Sequence, residues 1–375
     1  MVYNNTMKNL VQDKNIKFTT SLPSNTRYED LSTYGLNYFK KFKPFIYDVN
    51  VTSRVDPFDR DAHGVNLSKS QAIDHMNLSL RLQEKTGVTV SFLFNNIYVP
   101  PTKENLNLFI ENFKPWYEKG VRSITIPHLL WMNFGKIKET FPELSVKDTV
   151  LRECRSSVDF WNHANAGFDY VNIDRRLMRD LKELKKIKKA KDKFFEMYKR
   201  DIKLSMLTSE GCFGNCPYWK EHYQHTIQNP NLYENNENVF DIPKKIYGGC
   251  ESRNTNNFKS VELPYFMDNI SEIFDCVDIV KRGGRRHGPQ TFLGSLEDVL
   301  KYMNYPIIKI KDINIIYNDI IDPLLNDNKN DFRVPISLIK SWKNNIKNCK
   351  WECWNCDICE ELNIHYAALT KPQSK

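Results

Sequence analysis

Residues 88–127, VTVSFLFNNIYVPPTKENLNLFIENFKPWYEKGVRSITIP, decide the fold class. The stretch opens with a β-rich apolar run over residues 88–96 and continues as an amphipathic helix over residues 103–120. Directly after Gly120 it returns to a β-rich run over residues 123–127. Glycine commonly ends a helix, and the order strand, helix, strand is typical of a parallel sheet wound with helices. The stretch therefore predicts one βαβ unit.

The same alternation extends along most of the chain. It predicts further helices over residues 69–87 and 157–167, which again end at glycine. Eight strands are predicted, at residues 17–23, 45–52, 88–96, 123–127, 144–151, 169–174, 203–208 and 277–284. Eight strands that alternate with helices indicate an α/β fold, a TIM-like (β/α)8 barrel with a small Cys-rich C-terminal segment. We place the barrel in residues 1–290 and a helical extension with the Cys-rich tail in residues 291–375.

The composition is that of a globular protein. Of the 375 residues, 41% are apolar and 27% charged, which is enough apolar material for a real core. The first residues contain no signal-peptide h-region, and no later stretch is long and apolar enough for a membrane helix. We therefore expect a cytoplasmic protein with no membrane association. In a reducing compartment the nine cysteines point to metal or redox chemistry rather than to disulfides.

The formal net charge of +8 makes a polyanionic partner such as RNA plausible. Much of this charge lies in residues 181–200, LKELKKIKKAKDKFFEMYKR, where Leu181, Leu184, Ile187 and Phe194 recur at helical spacing. The periodicity favours a helix with a solvated basic face, and an RNA-facing surface is the alternative.

The first cysteine motif, EGCFGNCPYWKEHYQH, occupies residues 210–225 directly after the seventh predicted strand. Cys212 and Cys216 have the C-x3-C spacing of a metal chelate, and Pro217 suits the first turn of a helix. A Cys-Pro pair also occurs beside ferredoxin-type clusters. The motif thus favours an iron–sulfur site, expected as a 4Fe-4S cluster, over zinc held by the two cysteines with His222 and His225.

An iron–sulfur cluster needs further thiolates. Cys250 follows two glycines that allow close approach of the backbone, and we predict it as a third ligand. Cys276 and Cys154 are interpreted instead as small buried residues of the core.

The C-terminal tail NCKWECWNCDICEEL contains Cys349, Cys353, Cys356 and Cys359 in C-x3-C-x2-C-x2-C spacing. This density predicts metal binding, with Cys353, Cys356 and Cys359 as ligands. The tail could hold its own cluster, hold zinc, or fold back and complete the site on the barrel. The first three cysteines also have the spacing used in radical chemistry on S-adenosylmethionine.

Residues 120–290 resemble the collagenase-like U32 peptidase family. The resemblance runs through the stretch 141–184, the motif EGCFGNCPYWKEH and the strand end VDIVKRGGRR. Members of this family include iron–sulfur proteins that act in oxygen-independent hydroxylation of ubiquinone precursors and of RNA bases. The resemblance implies a TIM-like barrel and a cluster held by Cys212, Cys216 and Cys250.

Four residues are candidates for catalysis at the expected barrel mouth. Glu210 and His222 lie beside the first cysteine motif and could move protons, while Lys281 and Arg285 end the last strand and could bind an anionic group. The main hypothesis is an oxygen-independent hydroxylase, or a related redox enzyme, that modifies a nucleobase in RNA or an aromatic metabolite. An electron-transfer or paralogous partner protein is expected with it. The alternatives are a peptidase of the collagenase-like family and a non-catalytic, zinc-stapled nucleic-acid-binding protein.

Overall fold

A computed structural model of the chain contains a closed barrel of eight parallel strands. The structure describes residues 14–22, 36, 39–40, 43–60, 67–207, 219–228, 269–281, 336–362 and 364. The strands are β1 (Lys17–Leu22), β2 (Ile46–Thr52), β3 (Val90–Leu93), β4 (Ser123–Thr125), β5 (Ser145–Lys147), β6 (Tyr170–Ile173), β7 (Lys203–Leu207) and β8 (Ile279–Lys281). They follow one another around the barrel in chain order, and β8 pairs with β1. The predicted TIM-like fold is confirmed.

Helices connect the strands and surround the barrel. Those described are α1 (Lys69–Thr86), α2 (Lys103–Glu118), α3 (Leu129–Asn133), α4 (Lys136–Thr140), α5 (Ser157–Ala166), α6 (Leu181–Tyr198), α7 (Trp219–Gln228), α8 (Ile270–Phe274) and α9 (Ile336–Ile346). Two of the predicted glycines end helices in the structure. Gly87 ends α1 with φ of +68°, and Gly167 ends α5 with φ of +109°. Glycine adopts this left-handed conformation without the steric cost that a Cβ atom imposes.

The apolar core lies between the strands and the surrounding helices. Alternate strand residues such as Val51, Phe92 and Ile124 face outward and pack in one cluster with helical side chains such as Phe109 and Leu184. Burial of this shell is the main stabilising contribution, because it removes large aliphatic and aromatic surfaces from water.

The interior of the barrel is polar. The strand residues that alternate with the outward set face the lumen, and most of them carry hydrogen-bonding groups. Leu93, Leu207 and Ile279 are apolar exceptions among the described positions. Buried polar residues at the lumen positions are Thr19, Ser21, Asp48, Asn50, Thr52, Ser91, Ser123, Thr125, Lys147, Tyr170, Asn172, Ser205 and Lys281. TIM barrels usually fill this space with Val, Ile and Leu.

An ion pair crosses the lumen. The Nζ atom of Lys147 on β5 lies 2.6 Å from Oδ2 of Asp48 on β2, although β3 and β4 separate these strands. The same Nζ donates to Oδ1 of Asn50 at 3.1 Å, and Thr19 donates to the other Asp48 oxygen at 2.8 Å. The Tyr170 ring lies beneath the ammonium group, 5.1 Å from ring centroid to Nζ. Both charges therefore have partners in a site closed to water.

The C-terminal segment, residues 336–362, packs against the barrel. Trp342, Ile346 and Leu362 are buried and belong to the main apolar core. The segment also contacts the start of α6, where Leu181 N donates to Lys347 O at 3.2 Å. The domain boundary that we predict near residue 290 lies outside the described residues.

None of the described helices combines the length and hydrophobicity that a membrane span requires.

We expect Lys147→Met to destabilise the barrel by about 3–5 kcal/mol, since the change leaves the Asp48 carboxylate buried without its counterion. Urea unfolding followed by circular dichroism measures this effect. The double variant Asp48→Asn with Lys147→Met removes both charges and should recover most of the lost stability. A single variant as stable as the unchanged protein would contradict a role for the ion pair.

Truncation of Trp342, which is 2% exposed, should loosen the C-terminal segment. We expect Trp342→Ala to cost about 3–5 kcal/mol because it opens a large cavity in the contact with the barrel. Hydrogen exchange of residues 336–362 measures the change. Trp354→Ala is the matched control, because Trp354 is 72% exposed and its truncation should leave exchange unchanged.

Candidate functional site at the carboxyl rim

Helix α7 lies against the loops that follow several strands. Its Trp219, Tyr223 and Ile227 pack with Ile97 after β3 and with Leu151 after β5. Because parallel strands all end at the same rim of a barrel, these contacts place α7 at the carboxyl rim.

Two polar contacts hold the ends of α7 at this rim. Tyr98 donates its hydroxyl hydrogen to Lys220 O in the first turn. Arg60, in the loop after β2, donates to Gln228 O at 3.3 Å and to Ile227 O at 3.5 Å in the last turn. A guanidinium group at a helix C-terminus satisfies carbonyl groups that have no partner within the helix and complements its dipole.

Most of the predicted cluster site falls outside the described residues. This holds for Glu210, Cys212, Cys216, Cys250 and Arg285, and also for the side chain of His222 within α7. On either side of the cysteines of the first motif, the structure describes Leu207, which ends β7 at the carboxyl rim, and Trp219, which starts α7. The assignment of these residues as ligands or catalytic groups stays a prediction.

Lys281 is the predicted catalytic residue whose side chain the structure describes. It ends β8, pairs in register with Thr19 and Leu207, and is buried. By strand alternation its side chain faces the lumen, as Thr19 does. Lys281 thus adds a positive charge at the top of the lumen rather than on a solvated turn.

The tail cysteines lie beside the turn that follows β6. Cys349 N donates to Arg179 O at 2.7 Å, and Arg179 Nη1 lies 3.8 Å from Cys359 Sγ. The Arg179 guanidinium also lies 5.5 Å from the Trp351 ring centroid. Since Arg179 belongs to the turn Arg175–Arg179 directly after β6, the tail reaches the rim next to β7.

Three tail thiols lie close enough to influence one another. Burial raises the pKa of the Cys359 thiol, the Arg179 guanidinium opposes this rise, and Cys349 and Cys356 add to it. Within the residues that the structure describes, no three His, Cys, Asp or Glu side chains form a group that could hold a metal ion. None of the predicted ligands Cys353, Cys356 and Cys359 takes part in a disulfide, and Cys356 is exposed.

Cys154 and Cys276 have a different environment. Both are buried in the apolar core, and burial raises the pKa of each thiol. A thiol of raised pKa in an apolar site is a poor nucleophile and a poor metal ligand. These two cysteines fill space, in agreement with the sequence interpretation.

Asp174, at the end of β6, lies in an ion-pair network. Arg176 donates to both carboxylate oxygens, at 3.0 Å from Nε and 2.9 Å from Nη2, and Arg155 donates from Nε at 3.2 Å. Burial raises the pKa of Asp174 to about 6, while Arg175 and Arg155 oppose the shift. The carboxylate also caps the turn Arg175–Arg179, so its contacts shape the rim.

His128 follows β4 and is packed between aromatic rings. Its ring centroid lies 5.7 Å from that of Phe58 and 4.5 Å from that of Trp131. Burial, with a smaller effect of Arg152, lowers the pKa of His128 to about 4. The imidazole is therefore neutral near pH 7, and cannot serve there as a proton donor from its charged form.

The basic face of α6 makes many ion pairs within the protein. Lys186 pairs with Glu183, Lys188 with Asp192, and Lys193 with Glu196. Leu181, Leu184, Ile187 and Phe194 are buried, as their spacing predicts. This arrangement agrees with a solvated helix face, and the RNA-facing alternative for α6 stays a prediction.

Asp48 and Lys147 in the lumen were not predicted as site residues from the sequence. A signal is present: Asp48 lies between Tyr47 and Val49 in the strand IYDVNVT, and Lys147 follows a valine at the end of the strand SVK. Such alternation is equally typical of a strand with one solvated face. Charge alone therefore does not reveal that these positions face the inside of a barrel.

Comparisons with known proteins find similarity to solved structures. No family model matches the chain, and no curated protein matches it. A solved U32 peptidase is similar at 12% identity and a TM-score of 0.46, over 72% of this chain and 95% of its own. An O-GlcNAc hydrolase from Thermobaculum terrenum is similar at 11% identity and a TM-score of 0.41, over 96% of this chain and 78% of its own. At this level of similarity neither protein indicates an activity for this chain.

We expect Tyr98→Phe to increase local opening of α7, since it removes the hydrogen bond to Lys220 O. The loss of one such bond, about 1 kcal/mol, corresponds to roughly fivefold faster hydrogen exchange in residues 219–228. Strand β3 serves as the internal reference, and its exchange should stay unchanged. Equal exchange of α7 in both proteins would contradict this contact.

Proposed function

We propose that the chain is a barrel enzyme whose cysteines hold an iron–sulfur cluster at the carboxyl rim. The proposed reaction is an oxygen-independent hydroxylation, or a related redox modification, of a nucleobase or an aromatic metabolite. The observation that carries the proposal is the packing of the Cys-rich tail against Arg179, at the rim next to β7.

This packing addresses the main weakness of the cluster hypothesis. Cys212, Cys216 and Cys250 provide three thiolates, whereas a cluster prefers four. Leu207 and Trp219 are the described residues on either side of Cys212 and Cys216. Both belong to the same rim as the docked tail. This common rim supports the proposal that a tail cysteine is the fourth ligand, although the tail is more than a hundred residues away in the chain.

The donor set suits the proposed group. Cysteine thiolates are the usual ligands of iron–sulfur clusters, and Cys349 and Cys356 both lie near enough to Cys359 to raise the pKa of its thiol. When bound, such a cluster supplies redox chemistry and a position for an oxygen donor other than dioxygen. In the proposed roles, Glu210 and His222 move protons at the rim, and Lys281 and Arg285 bind an anionic group.

The polar lumen supports an enzyme rather than a structural barrel. A purely structural interior is filled most stably by apolar side chains, because an ion pair recovers its desolvation cost only with excellent geometry. Here Asp48, Lys147 and Lys281 place three charges inside the barrel. Charges inside a barrel below the rim are typical of a site that binds or converts a polar ligand.

Anaerobic purification followed by iron and sulfide analysis tests the proposal. We expect stoichiometric iron and an electron paramagnetic resonance signal after reduction. Cys216→Ala and Cys356→Ala should each remove most of the iron if both motifs share one centre. Cys276→Ala is the matched control, because Cys276 is buried in the core, and this variant should retain its iron.

Three results would contradict the proposal. Retention of about half of the iron in each variant would indicate two separate centres. Zinc in place of iron, together with salt-sensitive RNA binding, would favour the non-catalytic alternative. Peptide release from an unfolded or collagen-like substrate by iron-free protein would favour the peptidase alternative.

A further inference from the structure

Helix α6 carries a row of lysines on its outer face. The helix contains seven lysines against three acidic residues, a surplus of four positive charges, which is half of the formal net charge of +8. Four exposed lysines follow one another at intervals of three or four residues, the interval that aligns side chains on one face of a helix. They are Lys182, Lys186, Lys189 and Lys193.

The C-terminal segment adds a second row of lysines. Residues 336–350 contain four lysines and no acidic residue, again at intervals of three or four positions. The four are Lys340, Lys343, Lys347 and Lys350. Lys340 and Lys350 are exposed, and Lys343 and Lys347 are partly exposed. We call the two rows together the lysine surface.

The two rows meet where the tail packs on the start of α6. Leu181 N donates to Lys347 O at 3.2 Å, and Asp180 forms an antiparallel β-bridge with Asn348. Lys182 directly follows Leu181 in the chain. The first lysine of the α6 row therefore lies beside the end of the tail row, and the lysine surface is continuous.

Most of this surface is available to a partner. Five of its lysines form no ion pair with any other residue that the structure describes: Lys182, Lys189, Lys340, Lys347 and Lys350. Lys186 and Lys193 pair with Glu183 and Glu196, each three residues away on the same helix. Exposed pairs of this kind contribute only about 0–1 kcal/mol, so a phosphate group can displace the carboxylate.

The regular spacing of the charges favours a regular polyanion as the partner. Neighbouring lysines of the α6 row are separated by a rise of about 4.5–6 Å along the helix. A nucleic-acid strand carries its phosphates at a repeat of the same order, about 3.4 Å along a duplex axis. The acidic groups of a protein surface have no such repeat. An anionic membrane is bound with the help of inserted apolar side chains, whereas the exposed residues of α6 from position 182 to 193 are all charged.

We infer that the lysine surface binds the phosphate backbone of single-stranded RNA. The ammonium groups donate hydrogen bonds to phosphate oxygens, and the release of condensed counterions drives binding without a choice of base sequence. The two rows belong to different elements, and a flexible single strand follows both more easily than a stiff duplex does. The inference goes beyond the proposed function, because it requires neither a cluster nor a reaction.

Fluorescence anisotropy of a labelled single-stranded oligouridine, titrated with the full chain at several chloride concentrations, tests the inference. We expect a dissociation constant of about 1–100 µM near physiological salt. The logarithm of the affinity should fall against the logarithm of the salt concentration with a slope of about −3.5, as five phosphate contacts on a single strand predict. Unlabelled oligouridine should displace the probe more strongly than oligodeoxyuridine, polyglutamate or anionic phospholipid vesicles.

Two double variants test the two rows separately. Lys182→Gln with Lys189→Gln removes two charges from α6, and Lys347→Gln with Lys350→Gln removes two from the tail. We expect each double variant to weaken binding about tenfold at low salt and to reduce the magnitude of the slope by about 1.4. Circular dichroism confirms folding of each variant before titration.

The matched control is Lys85→Gln with Lys114→Gln. It removes the same charge from exposed positions on α1 and α2, and it should bind RNA as the unchanged protein does. Iron is assayed in every preparation, so that loss of RNA affinity is separable from loss of the cluster. The inference is overturned if oligouridine does not bind saturably, or if the control weakens binding as much as the two test variants. It is also overturned if DNA, polyglutamate or the vesicles are the stronger competitor.

Discussion

The ion pair between Asp48 and Lys147 is the constraint on which the interior of this barrel depends. Two charges inside a low-dielectric space must lie together and be hydrogen-bonded, because an isolated buried charge costs several kcal/mol. The pair joins β2 to β5 across the lumen at 2.6 Å, and Thr19 and Asn50 complete its hydrogen bonds. An apolar filling of the same space would leave these charges without such partners. One contact between strands that are not neighbours thus keeps both charges of the pair inside the lumen.

The carboxyl rim is where distant parts of the chain meet. Parallel strands all run in the same direction, so every loop that follows a strand opens at one end of the barrel. Helix α7 contacts loops after β2, β3 and β5 there, and the tail contacts the turn after β6. The described neighbours of the first cysteine motif and the tail therefore belong to one rim of the barrel.

Much of the fold could be predicted, and less of the site. The spacing of apolar residues and the helix-ending glycines correctly predict the eight strands and the helices α1, α2, α5 and α6. Both signals are local in the chain. Cys154 and Cys276 were correctly interpreted as core residues. The lumen residues were missed, since Asp48 and Lys147 are 99 positions apart and nothing local connects them. The ligand roles of Cys212, Cys216 and Cys250 stay predictions, because they lie outside the described residues.

The sequence by itself determined which residues form strands, which form helices and that the strands are parallel around a barrel. These properties depend on side-chain period and on residues that start or stop an element, and both act over a few positions. Only the tertiary structure decided that the polar faces of the strands line a closed lumen and that the tail packs on Arg179. A strand with one polar face can turn that face toward solvent or toward the lumen of a barrel. The choice between them is made by the closure of β8 onto β1, a contact between residues more than two hundred and fifty positions apart.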